Sequence, residues 1–327
     1  MLDSAVHFFC GKGIAESTQK TYRSALKKFY QFCSQFNIIS PFPVSEPLLC
    51  YFASYLASSQ NMSPTSIKVY LSGIRHMQVV LGLPEPREFS SLPRLRLVQS
   101  GIKRTHCQRA ANAEKVRLPI TTSILARMRS HWIKKDMQVA DHLMLWAAAT
   151  LCFHGFFRAG ELTVPTVRGF DSAVHLAWGD VEIDSLTDDS TMKIHLKRSK
   201  TDQFGSGVDV FVGHTRSIIC PVDAVTQYVA QRGSHPGCFF QFEDRSPLTK
   251  PKFVARVRQV LQAVGLPYDC FAGHSFRIGA ATAAAQAGVE DSVIQLLGRW
   301  SSAAFLAYIR TPREDLARYS SVISHVP

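Results

Sequence analysis

His274 and Arg277 lie three residues apart, where Gly273 gives way to a helical pattern. On neighbouring turns, an imidazole and a flat guanidinium fork suit the grip of a tetrahedral oxyanion. Tyr308, a short helix further on, offers a phenol able to act as a nucleophile. Arg158 and Glu161 follow the most apolar stretch of the chain, in FHGFFRAGEL. Charges beside the end of a buried helix are either placed for chemistry or form a structural Arg–Glu pair, and both readings stay open at this point. Lys200 sits in the polar turn KRSKTDQFGSG, where a side chain at a hairpin tip either swings into a cleft or simply faces water. Lys250 and Lys252 crowd the start of a helical pattern, with Arg256 and Arg258 behind them. Cations there oppose the helix dipole, so the arrangement makes more sense facing an anion. Taken singly, Tyr308 also reads as a core aromatic and Arg277 as a solvated helix residue; only convergence makes a site.

The elements that must bring these groups together are mostly helical. Thr121 to Lys135 is amphipathic, and Asp141 to Phe153 is apolar nearly all round, which predicts a central buried helix ending at Gly155. From His175 to Gly213 the period changes to two. Met192, Ile194 and Leu196 alternate with Lys193, His195 and Lys197, and Val208, Val210 and Val212 form a later strand, with Lys200 at the tip between them. Pro221 to Gln231 is a short helix, and the helix opened by Lys250 turns Phe253, Val257, Val260, Leu261 and Val264 inward. After His274 an alanine-rich helix runs to Gly288, and another starts near Asp291 as N-cap.

The amino-terminal third is expected to be a small helical bundle. Ser17 or Thr18 caps a helix to about Gln35 with the stripe Tyr22, Leu26, Phe29, Tyr30, Cys33 and Phe36, after a ragged start. Ser45 and Ser63-Pro64 open two more; the latter carries Lys68 and Arg75 off its apolar line. A fourth pattern (Leu92, Leu95, Val98, Ile102) carries Lys103 and Arg104. The expected organisation is a helical domain over 1–104, a basic linker over 105–117 and a larger domain over 118–327. The fold class is mainly α with a small antiparallel β-sheet.

Charge narrows the partner. Lys plus Arg number 37 and Asp plus Glu 25, for a net charge of +12. Residues 1–117 hold 15 basic and 6 acidic residues, net +9, so most of the excess lies in the first third. A polyanion fits such a face, nucleic acid before acidic membrane. The eight cysteines never form CxxC, which speaks against a zinc site or a disulfide framework and for a reducing, intracellular compartment. The most apolar run, Leu143 to Phe157, is too short to span a bilayer, so no membrane role is expected.

An arginine after a buried helix, a lysine on a hairpin, His-x-x-Arg opening a helix and a late tyrosine form an ordered set that resembles the tyrosine recombinase (phage integrase) family over almost the whole chain. GHSFRIGAA and Tyr308-Ile309-Arg310 are similar to Cre-like members, and LGRWSS with YIRTP is closest in wording to recombinases of DIRS/Ngaro-type retrotransposons. The resemblance implies a SAM-like core-binding domain followed by a mixed α/β catalytic domain. It implies that Arg158 and Arg277 clamp the scissile phosphate and that Tyr308 attacks phosphorus to leave a 3′-phosphotyrosyl link. Lys200 would then protonate the leaving 5′ oxygen, His274 donate to the phosphate or relay a proton, and Glu161 hold the pocket in place. Many members place a His or Trp nine positions before the tyrosine. Here that position is Arg299, and Trp300 is eight before. Trp300 is the favoured occupant, with Arg299 the alternative. Because the phosphotyrosine retains the phosphodiester bond energy, the resemblance calls for no metal and no cofactor. It further implies double-stranded DNA as partner, a synaptic tetramer on DNA and a nuclear mobile-element role. The basic residues Lys68, Arg75, Lys103, Arg104, Lys250 and Lys252 are the expected contacts, and a tail helix (Leu316, Tyr319, Ile323) either docks onto a neighbouring subunit, as in Cre-like relatives, or folds back on its own domain. The alternatives are a domesticated, inactive DNA-binding protein and a type IB topoisomerase-like relaxing enzyme.

Overall fold

Leu2–Lys12 form helix α1 and Glu16–Gln35 form α2, so a helix stands where the sequence suggested a ragged start. Ala15, not Ser17 or Thr18, occupies the N-cap of α2, and its side chain makes no cap bond. The buried face of α2 also differs from the expected stripe. Phe29 and Cys33 are buried, but Tyr30 and Phe36 are about half exposed and Phe32 takes their place inside. The reason is tertiary: Phe32 meets Phe52 and Tyr55 on the next helix, at ring separations of 5.4 and 5.2 Å.

Helices α3 (Glu46–Ser58) and α4 (Pro64–Val80) start where serine and proline direct them. Ser45 Oγ accepts from the Leu48 N–H at 3.4 Å and Ser63 Oγ from the Ser66 N–H at 3.2 Å, with a proline in each first turn. Helix α5 covers Pro93–Ala110, so residues 105–110, expected as linker, continue the helix. Leu49, Phe52, Leu56, Ile67, Leu71, Ile74 and Leu95 close this core. Buried Gln78 is satisfied at both ends, accepting from the Val44 N–H at 2.8 Å and donating to Pro84 O at 2.7 Å.

The computed structural model describes residues 2–84, 92–110, 117–133, 139–184, 190–199, 202, 205–310 and 317. Two compact units divide the chain, Met1–Glu114 and Lys115–Pro327, each with its own apolar core. Lys200 and the expected tail residues Leu316, Tyr319 and Ile323 lie outside the described residues.

In the second unit, α6 (Thr122–Ile133), α7 (Val139–His154) and the single turn α8 (Ala159–Leu162) come first. The apolar circumference of α7 is explained by its position: Met144, Leu145, Ala147, Leu151 and Cys152 are all wholly buried. Strands β1 (Val181–Asp184), β2 (Thr191–Leu196) and β3 (Val208–Gly213) form an antiparallel sheet in sequence order, with Ile194 opposite Val181 and Val210. Met192, Ile194 and Leu196 face the core, as the alternation requires. Four helices complete the unit: α9 (Pro221–Arg232), α10 (Lys250–Ala263), α11 (Ser275–Gln286) and α12 (Asp291–Leu297). Glu290 rather than Asp291 is the N-cap of α12, and Asp291 sits in its first turn, where a carboxylate favours the dipole. A 3₁₀ turn over Ala303–Tyr308 follows. Among the described residues no helix is long and apolar enough to cross a membrane.

Candidate active site

The corner after α7 builds the first part of the site. Gly155 is forced there by crowding: a Cβ would stand 2.2 Å from the ring of Phe157. Phe156 follows at φ 51°, a left-handed conformation that costs a bulky residue energy and turns the chain sharply. Arg158 then caps α8. Its own N–H donates to Glu161 Oε2 at 2.9 Å, and its Nη1 donates to Oε1 at 2.7 Å. Both carboxylate oxygens are therefore committed to one residue's backbone and side chain, and Glu161 is nearly buried at 6 % side-chain exposure. The Arg–Glu pair that the sequence left open is present, and it faces a cavity.

The opening of α11 supplies the second part. Ser275, wholly buried, accepts from the Ala272 N–H through Oγ at 3.0 Å, and its carbonyl accepts from the Ile120 N–H at 2.9 Å. These bonds lock the turn and leave His274 exposed at the helix start. Thr282, two turns on, accepts from the Arg310 N–H at 3.0 Å through Oγ1 and so pins the chain just after Tyr308. Rings complete the arrangement: Tyr308 lies 5.2 Å from Trp300 and 6.3 Å from His274.

Arg158, Glu161, Lys250, His274, Trp300 and Tyr308 line one cavity of about 900 Å³, together with Arg198 and Ser199 from the chain leaving β2. Five stretches far apart in sequence meet there. Lys250 reaches it because α10 begins beside α8, through bonds from the Val164 N–H to Leu248 O (3.0 Å) and from the Lys250 N–H to Val164 O (3.1 Å). Lys200 itself lies outside the described residues, but the arm that leads to it, Arg198-Ser199, forms part of the wall. Beyond that arm the Asp202 carboxylate accepts from three backbone N–H groups, of Gly205, Ser206 and Gly207, at 3.0, 3.1 and 2.8 Å. Those donors, Gly207 foremost, hold the carboxyl below its ordinary range.

Arg277 is placed differently from the expected phosphate clamp. It is wholly buried, with Nη1 donating to Phe156 O and Nη2 to Gly298 O at 2.7 Å, and its Nε has no partner. Trp300 covers the guanidinium at 4.2 Å, so Arg277 lies one layer beneath the cavity rather than in its wall. Gly298 permits this, since any Cβ there would collide with the indole. Burial first, then the Arg158 charge, push the Arg277 guanidinium down to about 10.

Trp300, not Arg299, faces the cavity. Arg299 turns the opposite way from a left-handed backbone, φ 54°, and donates to Gly155 O (3.0 Å), Phe156 O (3.2 Å) and Glu161 Oε2 (3.0 Å). Burial lowers its pKa from the ordinary value. Two guanidinium groups, of Arg158 and Arg299, thus share the one carboxylate of Glu161, while Arg277 donates to backbone carbonyls. Among the described residues, Arg158, Arg198 and Lys250 in the wall and Arg277 and Arg299 beneath it outnumber the one lining carboxylate, an excess of positive charge that an anionic ligand relieves.

Of the expected DNA contacts, Lys250 alone lines this cavity; Lys252 is exposed beside it, its Nζ 4.4 Å from the Phe242 ring. Lys68 and Arg75 are exposed on α4, seven residues and about two turns apart on one face, and Lys103 and Arg104 are exposed on α5. Among the described residues, His214, Cys220 and Asp223 are the one group with metal-ligand atoms close together. The Arg216 N–H donates to His214 Nδ1 at 3.2 Å, which places the ring proton on Nε2, where it donates to Asp223 Oδ1 at 3.1 Å. Hydrogen bonding accounts for that cluster. The residues that the sequence reading passed over are Ser275, Thr282 and Gly298, for which only the unbroken GHSFRIGAAT and LGRW wording was a signal.

Comparison with known proteins gives a consistent relationship. The family described as phage integrase, N-terminal SAM-like domain, matches residues 2–77. An integrase/recombinase XerD homolog of Selenomonas ruminantium is 23% identical over 299 residues, which covers 89% of this chain and 80% of that protein. A XerH site-specific recombinase, solved bound to a palindromic difH substrate after cleavage, shares the fold with a TM-score of 0.64 at 15% identity, over 99% of this chain and 85% of that one. The Tn1549 transposon integrase, solved with circular intermediate DNA, gives 0.59 at 14% identity over 97% and 98%. The amino-terminal match, a relative that runs along nearly nine-tenths of the sequence and the shared fold together make this chain similar to tyrosine recombinases (phage integrases) along its whole length.

Proposed function

We propose that this protein is a site-specific recombinase that cleaves and rejoins duplex DNA through a covalent bond between Tyr308 and a 3′ phosphate. One observation carries the reading: Arg158, Lys250, His274, Trp300 and Tyr308, from separate parts of the chain, wall one cavity with excess positive charge. The phenolic oxygen attacks phosphorus, the P–O5′ bond breaks as the P–O bond to tyrosine forms, and the phenol's proton leaves by way of His274. Lys200 protonates the departing 5′ oxygen. Arg158 holds a non-bridging oxygen, and Glu161 holds Arg158. Arg277 adds its charge from beneath Trp300; its direct contact with the phosphate requires the indole to turn aside. Attack by the 5′ hydroxyl of a second duplex reverses the step and exchanges strands.

Duplex contacts by Lys68, Arg75, Lys103, Arg104, Lys250 and Lys252, a synaptic tetramer and a nuclear, retrotransposon-type role belong to the same reading. The last of these rests only on the wording LGRWSS and YIRTP.

The test is a pool of nicked duplexes with randomised flanks. Wild-type protein is expected to form a detergent-resistant adduct on the Tyr308 peptide. Tyr308→Phe should bind the pool with equal affinity and form none. An adduct that persists in Tyr308→Phe, or wild-type binding with no adduct at all, refutes the proposal.

A further inference from the structure

Arg299 is the least expected member of the cluster. It occupies the position, nine before the tyrosine, where the family resemblance places a His or Trp, yet it points away from the cavity. It joins three things in or beneath the cavity wall. Its Nη2 donates to Glu161 Oε2, the oxygen that also accepts the Arg158 N–H. The same Nη2 donates to Phe156 O, the carbonyl that Arg277 also uses. Its own backbone carries Trp300 as the next residue. The guanidinium rests over the Phe157 ring at 4.9 Å, so it cannot swing without leaving that corner.

We infer that Arg299 is a positioning residue for the phosphate site, setting Arg158 through Glu161. The inference rests on the reading of this cavity as a phosphodiester site. Without Arg299, the carboxylate has a single anchor apart from the Arg158 side chain, the Arg158 N–H on Oε2. Gripped from behind by Arg299, it becomes a fixed post, and Arg158 is left with one orientation toward the cavity. This also explains why a non-glycine residue tolerates a left-handed backbone here: its side-chain bonds offset the strain.

Arg299→Gly tests this cleanly, because glycine adopts φ 54° without strain and only the guanidinium is lost. On the nicked-duplex pool, affinity is expected to stay within about twofold, while adduct formation slows about ten- to hundredfold, the effect of one buried charge-assisted hydrogen bond. Methylguanidinium in solution should restore part of the rate. Glu161→Gln should lose a similar factor, and the double variant should be no slower than the slower single one, since both cut the same chain of contacts. A wild-type rate in Arg299→Gly overturns the inference. So does a loss that multiplies fully with that of Glu161→Gln, or a loss of affinity and melting temperature without chemical rescue. The Arg158 Nε–H NMR signal gives a readout that needs no reaction. It should be sharp in the wild type and broadened in Arg299→Gly; an unchanged signal overturns the positioning role even if the wild type forms no adduct and the proposed reaction fails.

Discussion

Gly298→Ala adds one methyl where the indole of Trp300 already lies. The new Cβ would stand 1.5 Å from Cζ3, 1.9 Å from Cε3 and 2.4 Å from Cη2. Gly298 has φ −80°, an ordinary value, so alanine introduces no backbone strain and the collision is the whole perturbation. The ring must leave its place, and with it go the stack on Arg277 at 4.2 Å and the contact with Tyr308 at 5.2 Å. A desolvated cation–ring contact is worth about 2 kcal/mol. Forcing a methyl into a filled site costs about 1–3 kcal/mol before relaxation. The two overlap, because the ring's departure relieves the collision, so a net loss of about 3 kcal/mol is expected. For a unit of this size, each kcal/mol lowers Tm by about 2–4 °C, which gives a drop of about 6–12 °C. Thermal melting and acrylamide quenching of tryptophan emission measure the two consequences, lower stability and a more exposed indole. Gly179→Ala is the control, since nothing lies within 4 Å of a Cβ there. Should Gly298→Ala melt within about 1 °C of the wild type with unchanged quenching, Trp300 does not lie on Gly298 and does not cover Arg277.

Two further outcomes are expected. Binding to duplex DNA should weaken linearly on a log–log salt plot, with about −0.9 in slope per neutralised phosphate. Lys103→Ala with Arg104→Ala should flatten that slope by about two contacts' worth; an unchanged slope removes both from the interface. Acid should destabilise the second unit through His154, whose burial pushes its pKa down from 6.5 to about 4. The unfolded chain takes up the proton first, so this contribution is complete above about pH 6.5 and is lost as pH falls toward 4, a loss of about 3 kcal/mol. His154→Asn should melt with a shallower pH dependence across that window, and an unaltered slope in urea titrations from pH 7 to 4 rules His154 out as the cause.

Helices α3 and α4 of the amino-terminal unit were legible because their start signals are local, whereas α1 and the cap of α2 were not. A serine, a proline in the next two positions and an apolar line act within one turn, and Ser45 and Ser63 both form the expected bonds. The alternation in β2 was equally plain, since burial on one face leaves a period-two record. The buried face of α2 was not legible, because Tyr30 and Phe32 are equally apolar on paper and only the neighbouring Phe52 and Tyr55 choose between them. Nor was the end of α5, whose polar last turns carry no apolar stripe.

The same division holds for the site. Residue types and their order along the chain, read through the family resemblance, singled out Arg158, Glu161, His274, Arg277, Trp300 and Tyr308, and all of these except Arg277 line the one cavity. Their depth was a different matter. Arg277 and Arg299 are both arginines beside helix ends in sequence, yet one lies sealed under an indole and the other braces a carboxylate from behind. A guanidinium's direction is set by which carbonyls and rings the fold brings within reach of it. Phe156, Gly155 and Glu161 come from more than a hundred residues away along the chain, so only tertiary packing could decide which cation meets the cavity and which supports it.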